Sequence, residues 1–247
     1  VPEKFEVTFD ELEGKESLEY RLSHDVTMRL EGRIDRLDTF EDENKISIKV
    51  IDYKSGNTKL DRIRVYRGLQ LQLVVYMDAA MEMLRGKHPK KEILPGGILY
   101  YHIDDPVLES DTPLSDEEAE QALLFALRPD GLVNSGEEIY RAMDQNFEGK
   151  SQMIPVEIKK NGEISTARSK VASTEEFAVI TRYVEHEIRQ CGEAIYAGNI
   201  AVNPYRSDIE TSCTYCPYGS VCGMDAKIPG YEYRQFASMK KEEVLDQ

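Results

Sequence analysis

Two aspartates and a lysine set the chemistry open to this chain. Gly32-Arg33-Ile34-Asp35 and Ile51-Asp52-Tyr53-Lys54 each lie in an apolar, β-prone stretch. Between them, Asp42-Glu43-Asn44-Lys45 is polar and turn-like. A tight antiparallel hairpin centred between Glu43 and Asn44 places Asp35 opposite Asp52. Directly opposed residues on one sheet face have β-carbons roughly 5 Å apart. Two carboxylates that close repel unless a cation lies between them. Lys54 is two residues beyond Asp52 and so points to the same face. Two acids and an amine on one face make a site for a hard cation, with a positive group beside it. Asp35 and Asp52 would bind Mg²⁺ or Mn²⁺, with the Tyr53 carbonyl and waters completing the shell. Such an ion polarises a phosphate and lowers the pKa of an attacking water, the chemistry of phosphodiester hydrolysis. Lys54 would orient that water or offset developing charge. The competing reading is a solvated hairpin with a weak Asp–Lys pair. Against it, Asp52 and Lys54 follow the apolar run Ile46, Ile48, Val50, Ile51 and so occupy the inner end of a core strand. Asp38 is a weaker candidate, because it falls on the face opposite Asp35.

Further residues gather around this pair in sequence. Gln72 and Tyr76 are four apart on an expected helix and share a face. Gln70 is a rival that faces elsewhere. Lys54, Lys59, Arg62, Arg64 and Arg67 form a basic stretch after the second acidic motif. It suits a DNA backbone or an ordinary solvated helix start equally well.

Three of the four cysteines cluster as Cys213-Thr-Tyr-Cys216-Pro-Tyr-Gly-Ser-Val-Cys222. Thiolate ligation of zinc or of an iron–sulfur cluster accounts for the spacing. A redox C-x-x-C pair is the runner-up, but it has no need of Cys222. Both metal readings require a fourth ligand. Cys191, inside a long expected helix, is one candidate, and a residue outside this chain is the better one. His24, His88, His102 and His186 have no spacing that suggests a metal site or triad, and no phosphate-binding glycine loop is present.

The elements that must position these groups read as strands first, then helices alternating with strands. Strands are expected at Phe5–Phe9, Leu18–Leu22, Val26–Leu37 and Lys45–Tyr53. One helix is expected over Arg62–Arg85, with Leu69, Leu73, Tyr76, Met77, Ala80 and Leu84 at helical spacing. A buried strand follows over Gly96–Ile103. Ser115 with Glu118 opens a helix through Leu127, and another runs from Ser135 or Gly136 to Phe147. A hairpin is expected around Asn161-Gly162, between Met153–Lys160 and Glu163–Ala167. Ser173 or Thr174 caps a long helix to about Ala197. This pattern is that of an α/β domain with a mixed sheet.

At 247 residues, 40% hydrophobic and 31% charged, a single large soluble domain is expected. No apolar run is long enough to span a membrane. No signal peptide opens the chain, so a cytoplasmic location is expected. A net charge of −15 argues against a free-standing DNA-binding domain, yet allows a nuclease whose catalytic face is locally basic. The chain begins at Val1 and is expected to be a piece of a longer protein.

These motifs in this order resemble the RecB-type nuclease module of the PD-(D/E)XK superfamily, in the AddB-type form. The matching strings are G-R-I-D (Asp35), I-D-Y-K (Asp52, Lys54), Q-x-x-x-Y (Gln72, Tyr76) and C-x-x-C-P-x-x-x-x-C (Cys213, Cys216, Cys222). The resemblance implies a restriction-endonuclease-like mixed sheet flanked by helices, with a carboxy-terminal cysteine-rich metal-binding loop. It implies a Mg²⁺-dependent DNA exonuclease in bacterial double-strand-break repair. The strand it degrades would be fed from a helicase, and an AddA-type helicase–nuclease would be its partner. It also implies a [4Fe–4S] cluster on Cys213, Cys216 and Cys222. Two family features are missing from this chain: a His or Glu ligand on an earlier helix, and an upstream first cluster cysteine. An incomplete cluster is therefore expected here. The rival function is a non-catalytic nuclease-like domain that guides DNA or holds a repair complex together. A zinc-binding interaction module is a second rival. Intact Asp35, Asp52, Lys54 and Gln72 favour the enzyme.

Overall fold

A computed structural model of the protein describes residues 2–9, 19–56, 58–103, 105–110, 112–145, 147–207 and 210–236. In chain order the strands begin with β1 (Pro2–Thr8), β2 (Glu19–Arg21), β3 (Thr27–Arg29), β4 (Arg33–Glu41) and β5 (Lys45–Lys54). Helices α1 (Arg62–Tyr66) and α2 (Gln72–Lys87) lead to β6 (Glu92–His102). Then come α3 (Asp116–Ala126), β7 (Asp130–Asn134), α4 (Glu137–Met143), β8 (Val171–Ala172) and α5 (Thr174–Tyr196). The short elements β9 (Tyr205–Arg206), α6 (Gly219–Cys222) and β10 (Arg234–Gln235) follow. Six strands form one mixed sheet in the order β1-β4-β5-β6-β7-β8. β5 and β6 run parallel, with α1 and α2 as the crossover, while β4–β5 and β6–β7 are antiparallel.

The sheet is buried on both faces at its centre, so β5 reads as a nearly continuous apolar run. On one face Ile48 and Val50 pack with Leu37, Leu73, Met77 and Ile180 of β4, α2 and α5. On the other, Ile51 packs with Leu99, Val133, Tyr140 and Ile154. Met77 is fully buried beneath α5, and truncating such a side chain to alanine costs about 2–5 kcal/mol. Asp52 continues the Ile48–Val50 face, so the packing that seats α2 also fixes which helix the acid meets.

The β4–β5 turn forms where expected. Asp42 closes it by accepting hydrogen bonds from the Asn44 and Lys45 amides at 2.8 and 2.7 Å. The register runs from Glu41 opposite Ile46 to Arg36 opposite Ile51, the frame expected from the sequence. Both capping boxes are present, Ser115 with Glu118 on α3 and Ser173 with Glu176 on α5. Gly198, at φ +69°, lies just past the end of α5.

Elsewhere the structure departs from the expected pattern. The strand expected over Val26–Leu37 is two strands. Gly32 passes so close to Phe9 that an added β-carbon would sit 2.7 Å from its ring, and β3 pairs with β2 instead of joining the main sheet. The helix expected over Arg62–Arg85 breaks between α1 and α2, where Gly68 takes φ +74°. The hairpin about Gly162 is reduced to one bridge between Ile158 and Ile164. β7 has no counterpart among the expected elements, because five residues with polar ends carry too short a pattern. Leu18, Asn57 and the charged tail beyond residue 236 lie outside the described residues. No helix among the described residues is long and apolar enough to cross a membrane.

Candidate active site

The β4–β5 ladder stops at Arg36 and Ile51, one step short of the two acids. Beyond that point β4 stays paired with β1, while β5 stays paired with β6 through Lys54 and His102. The strands part there, and side chains replace the ladder. Asp35 Oδ2 accepts the Tyr53 amide at 2.9 Å. Asp35 therefore bonds to the β5 backbone with its side chain, not as a ladder partner of Asp52. Lys54 turns its carbonyl to the Ile103 amide on the β6 side. By strand alternation the Tyr53 carbonyl turns the other way, into the gap.

On the α2 face a chain of polar contacts starts at Asp52, which is 3% exposed. Its Oδ2 lies 2.6 Å from the Lys54 ammonium. Lys54 Nζ donates to Gln72 Oε1 at 3.1 Å, and Gln72 Nε2 donates to the Tyr76 hydroxyl at 2.7 Å. The Tyr76 ring meets Phe9 edge-on at 5.8 Å. Gln72 is the first residue of α2, so the break after α1 aims its amide at Lys54. Gln70 lies in the connector. It accepts from the Asp61 amide and donates to the Lys59 carbonyl, both at 2.9 Å, and so shapes the corner.

Electrostatics make Asp52 the strained member. Burial pushes its carboxyl up, Lys54 pulls it down, and the Asp35 charge pushes it up again. Among the described residues no well-directed hydrogen bond reaches the buried Oδ2, and the Lys54 ion pair is its compensation. A desolvated carboxylate with an under-satisfied oxygen, a second acid that repels it and a carbonyl turned into the same gap fit a hard divalent cation. Among the described residues no group of three or more His, Cys, Asp or Glu is gathered to hold a metal. A cation here would use two carboxylates, the Tyr53 carbonyl and waters.

Asp38 lies away from this site. It is buried on the opposite face between Arg36 at 2.7 Å and Lys49 at 2.8 Å. Burial pushes its carboxyl up, but the two cations hold it below the usual range.

Sequence reasoning missed how the loop after Lys54 is held. His102 Nε2 lies 2.6 Å from the Thr58 carbonyl, and Asp130 Oδ2 accepts the Leu60 amide at 2.8 Å. Lys170 in turn pairs with Asp130 at 2.5 Å. These residues are far apart in sequence, and no local pattern marks them. Tyr100 is a second residue that motif spacing does not reveal. It lies beside Asp52 in the β5–β6 register and is 3% exposed. Burial and the Asp52 charge push its phenol up to about 12.

Part of the basic stretch faces inward. Arg64 pairs with Glu210, and Arg67 stacks over the Phe236 ring at 4.6 Å. The carboxy-terminal segment thereby docks on α1. The cysteine loop in that segment is not gathered into a metal-holding group. Cys213 and Cys216 are exposed, Cys222 is half-buried, and Cys191 is exposed on α5. Short-range hydrogen bonds order the loop. Cys216 N–H donates to Cys213 C=O at 3.3 Å, and Cys213 N–H donates to Thr211 Oγ1 at 3.1 Å.

The family model of the PD-(D/E)XK nuclease superfamily matches residues 1–223. The chain belongs to that superfamily. A Lachnoclostridium phytofermentans protein, named as the B-type subunit of an ATP-dependent helicase/deoxyribonuclease, is 41% identical over 238 residues, covering 92% of this chain. Proteins of the same name from Thermoanaerobacter sp. strain X514 and Clostridium botulinum strain Hall are 39% and 37% identical, each over 99% of the chain. The chain spans about a fifth of the length of these relatives, 20% of the first and 21% of the other two.

Proposed function

We propose that this chain is the nuclease domain of an AddB-type helicase–nuclease, and that it hydrolyses DNA phosphodiesters with the help of Mg²⁺ or Mn²⁺. The observation that carries this reading is the buried, under-satisfied Asp52 carboxylate beside Asp35, joined through Lys54 to Gln72 and Tyr76. Asp35, Asp52 and the Tyr53 carbonyl would hold the ion. When bound, such an ion polarises a phosphate and makes water a stronger nucleophile at neutral pH. Lys54 places a positive charge where the phosphate gains negative charge, and also orients a water. Gln72 holds Lys54 in that position, and Tyr76 holds the Gln72 amide.

The names carried by the relatives support a role in processing broken DNA beside an AddA-type partner, in the cytoplasm, as an exonuclease on a single strand delivered by the helicase. Cys213, Cys216 and Cys222 supply thiolates of the right type for three positions of a [4Fe–4S] cluster, with the fourth ligand outside this chain.

The test is Asp52→Ala in the full-length protein, which should abolish Mg²⁺-dependent DNA degradation and leave the fold intact. Degradation at the wild-type rate by a well-folded variant would overturn the proposal.

A further inference from the structure

The Lys54 ammonium has three neighbours of different chemistry: the Asp52 carboxylate at 2.6 Å, the Gln72 amide oxygen at 3.1 Å and the face of the Tyr100 ring, whose centroid is 5.5 Å away. The first two are recognisable from motif spacing. The third comes from β6. Tyr100 is the register partner of Asp52 on one side and of Asp130 on the other, so it shares their sheet face. Its ring is buried and packed in the core with Val50, Leu73 and Ile98, which leaves it little freedom to turn. A cation within about 6 Å of an aromatic centroid is attracted by the electron-rich face, more strongly where water is excluded.

We infer that Tyr100 is a positioning residue for the nuclease reaction: its ring face holds the Lys54 ammonium beside Asp52. The inference rests on the nuclease reading given above. Asp52 has two demands on it, the ammonium and a cation, and a ring holds an ammonium without occupying any carboxylate oxygen. Gln72 reaches Lys54 from a helix and Tyr100 reaches it from the sheet, so the two fix the amine against different parts of the fold. The phenol hydroxyl is not needed for this role. Phenylalanine should serve, and leucine, which fills similar space without a π-face, should not.

Two measurements on the full-length protein test the assignment. In the first, without metal or DNA, the labelling rate of Lys54 by an amine-directed reagent is followed by mass spectrometry. In the second, kcat and KM are measured on a single-stranded oligonucleotide with Mg²⁺. Tyr100→Phe should match the wild type in both. Tyr100→Leu should label several-fold faster at Lys54 and lose roughly five- to thirtyfold in kcat, with KM unchanged. Phenylalanines carrying one, two and three ring fluorines at position 100 keep the shape but drain the ring face. They should show a graded loss of kcat and a graded rise in labelling, which covers the case in which the leucine variant does not fold. Fluorinated and leucine variants that all behave like Tyr100→Phe, while Asp52→Ala is inactive, would overturn the role of Tyr100. An Asp52→Ala protein that still cleaves would overturn the nuclease reading itself, and the labelling series would still report on the Tyr100–Lys54 contact.

Discussion

Lys54 and Gln72, at the end of β5 and the start of α2, meet at 3.1 Å across the corner made by α1. That contact joins the sheet's acidic end to the helix that packs over it. It exists because α2 begins at Gln72 and not at Arg62. A continuous helix from Arg62 would carry Gln72 mid-span, with no separate corner to aim it.

The first prediction concerns this contact. Gln72→Leu should lower kcat for DNA degradation by roughly tenfold to a hundredfold, because a small misplacement of a reacting group is costly. DNA affinity should hardly change. Steady-state kinetics on a single-stranded oligonucleotide check this, and a large rise in KM with unchanged kcat would speak for a binding role instead.

The second concerns the corner. Gly68 has φ +74°, a conformation that L side chains rarely adopt. Gly68→Ala should destabilise the domain by about 1–2 kcal/mol. The same change in an exposed stretch of ordinary φ should do far less. Denaturant midpoints of the two variants make the comparison, and cleavage by Gly68→Ala should fall with the loss of Gln72 alignment.

The third concerns pH. Asp78 on α2 has its carboxyl pushed up to about 6, mainly by burial and then by Glu185 and Glu82, with Arg85 pulling the other way. The unfolded chain releases this proton near 3.8. Between those values the folded state binds more protons than the unfolded one, so stability falls as pH rises from about 4 to about 6. The loss is complete above that window. Discounted for the partial exposure of the group, it amounts to about 1–2 kcal/mol. Asp78→Asn should therefore raise the unfolding midpoint at pH 7 and flatten its dependence across the window. An unchanged slope would refute the assignment.

The fourth concerns the cysteines. The chain comprising residues 1–247, purified without oxygen, should hold no stable [4Fe–4S] cluster, whereas the full-length protein should. Three local thiolates leave one iron without a protein ligand. Iron and sulfide analysis of both decides it. Near-stoichiometric iron in the short chain would mean that Cys191 or another residue completes the set, and near-stoichiometric zinc would point to a structural knuckle.

Sequence alone determined the local devices. The Asp42 turn, the two capping boxes and the apolar run of β5 are written in residues within a few positions of one another, and short-range hydrogen bonding and side-chain periodicity make them legible. The β4–β5 frame followed from that turn. The tertiary structure alone decided that the ladder ends before Asp35 and Asp52, that Gly68 splits one expected helix in two, and that Tyr100, His102 and Asp130 stand around Lys54 and its loop. Those relationships depend on which strands neighbour β5 and where α2 seats on the sheet. Burial of Leu73 and Met77 against Ile48 and Val50 settles that seating. Packing between distant segments is a property of the whole core, and a pattern read along one stretch of chain does not contain it.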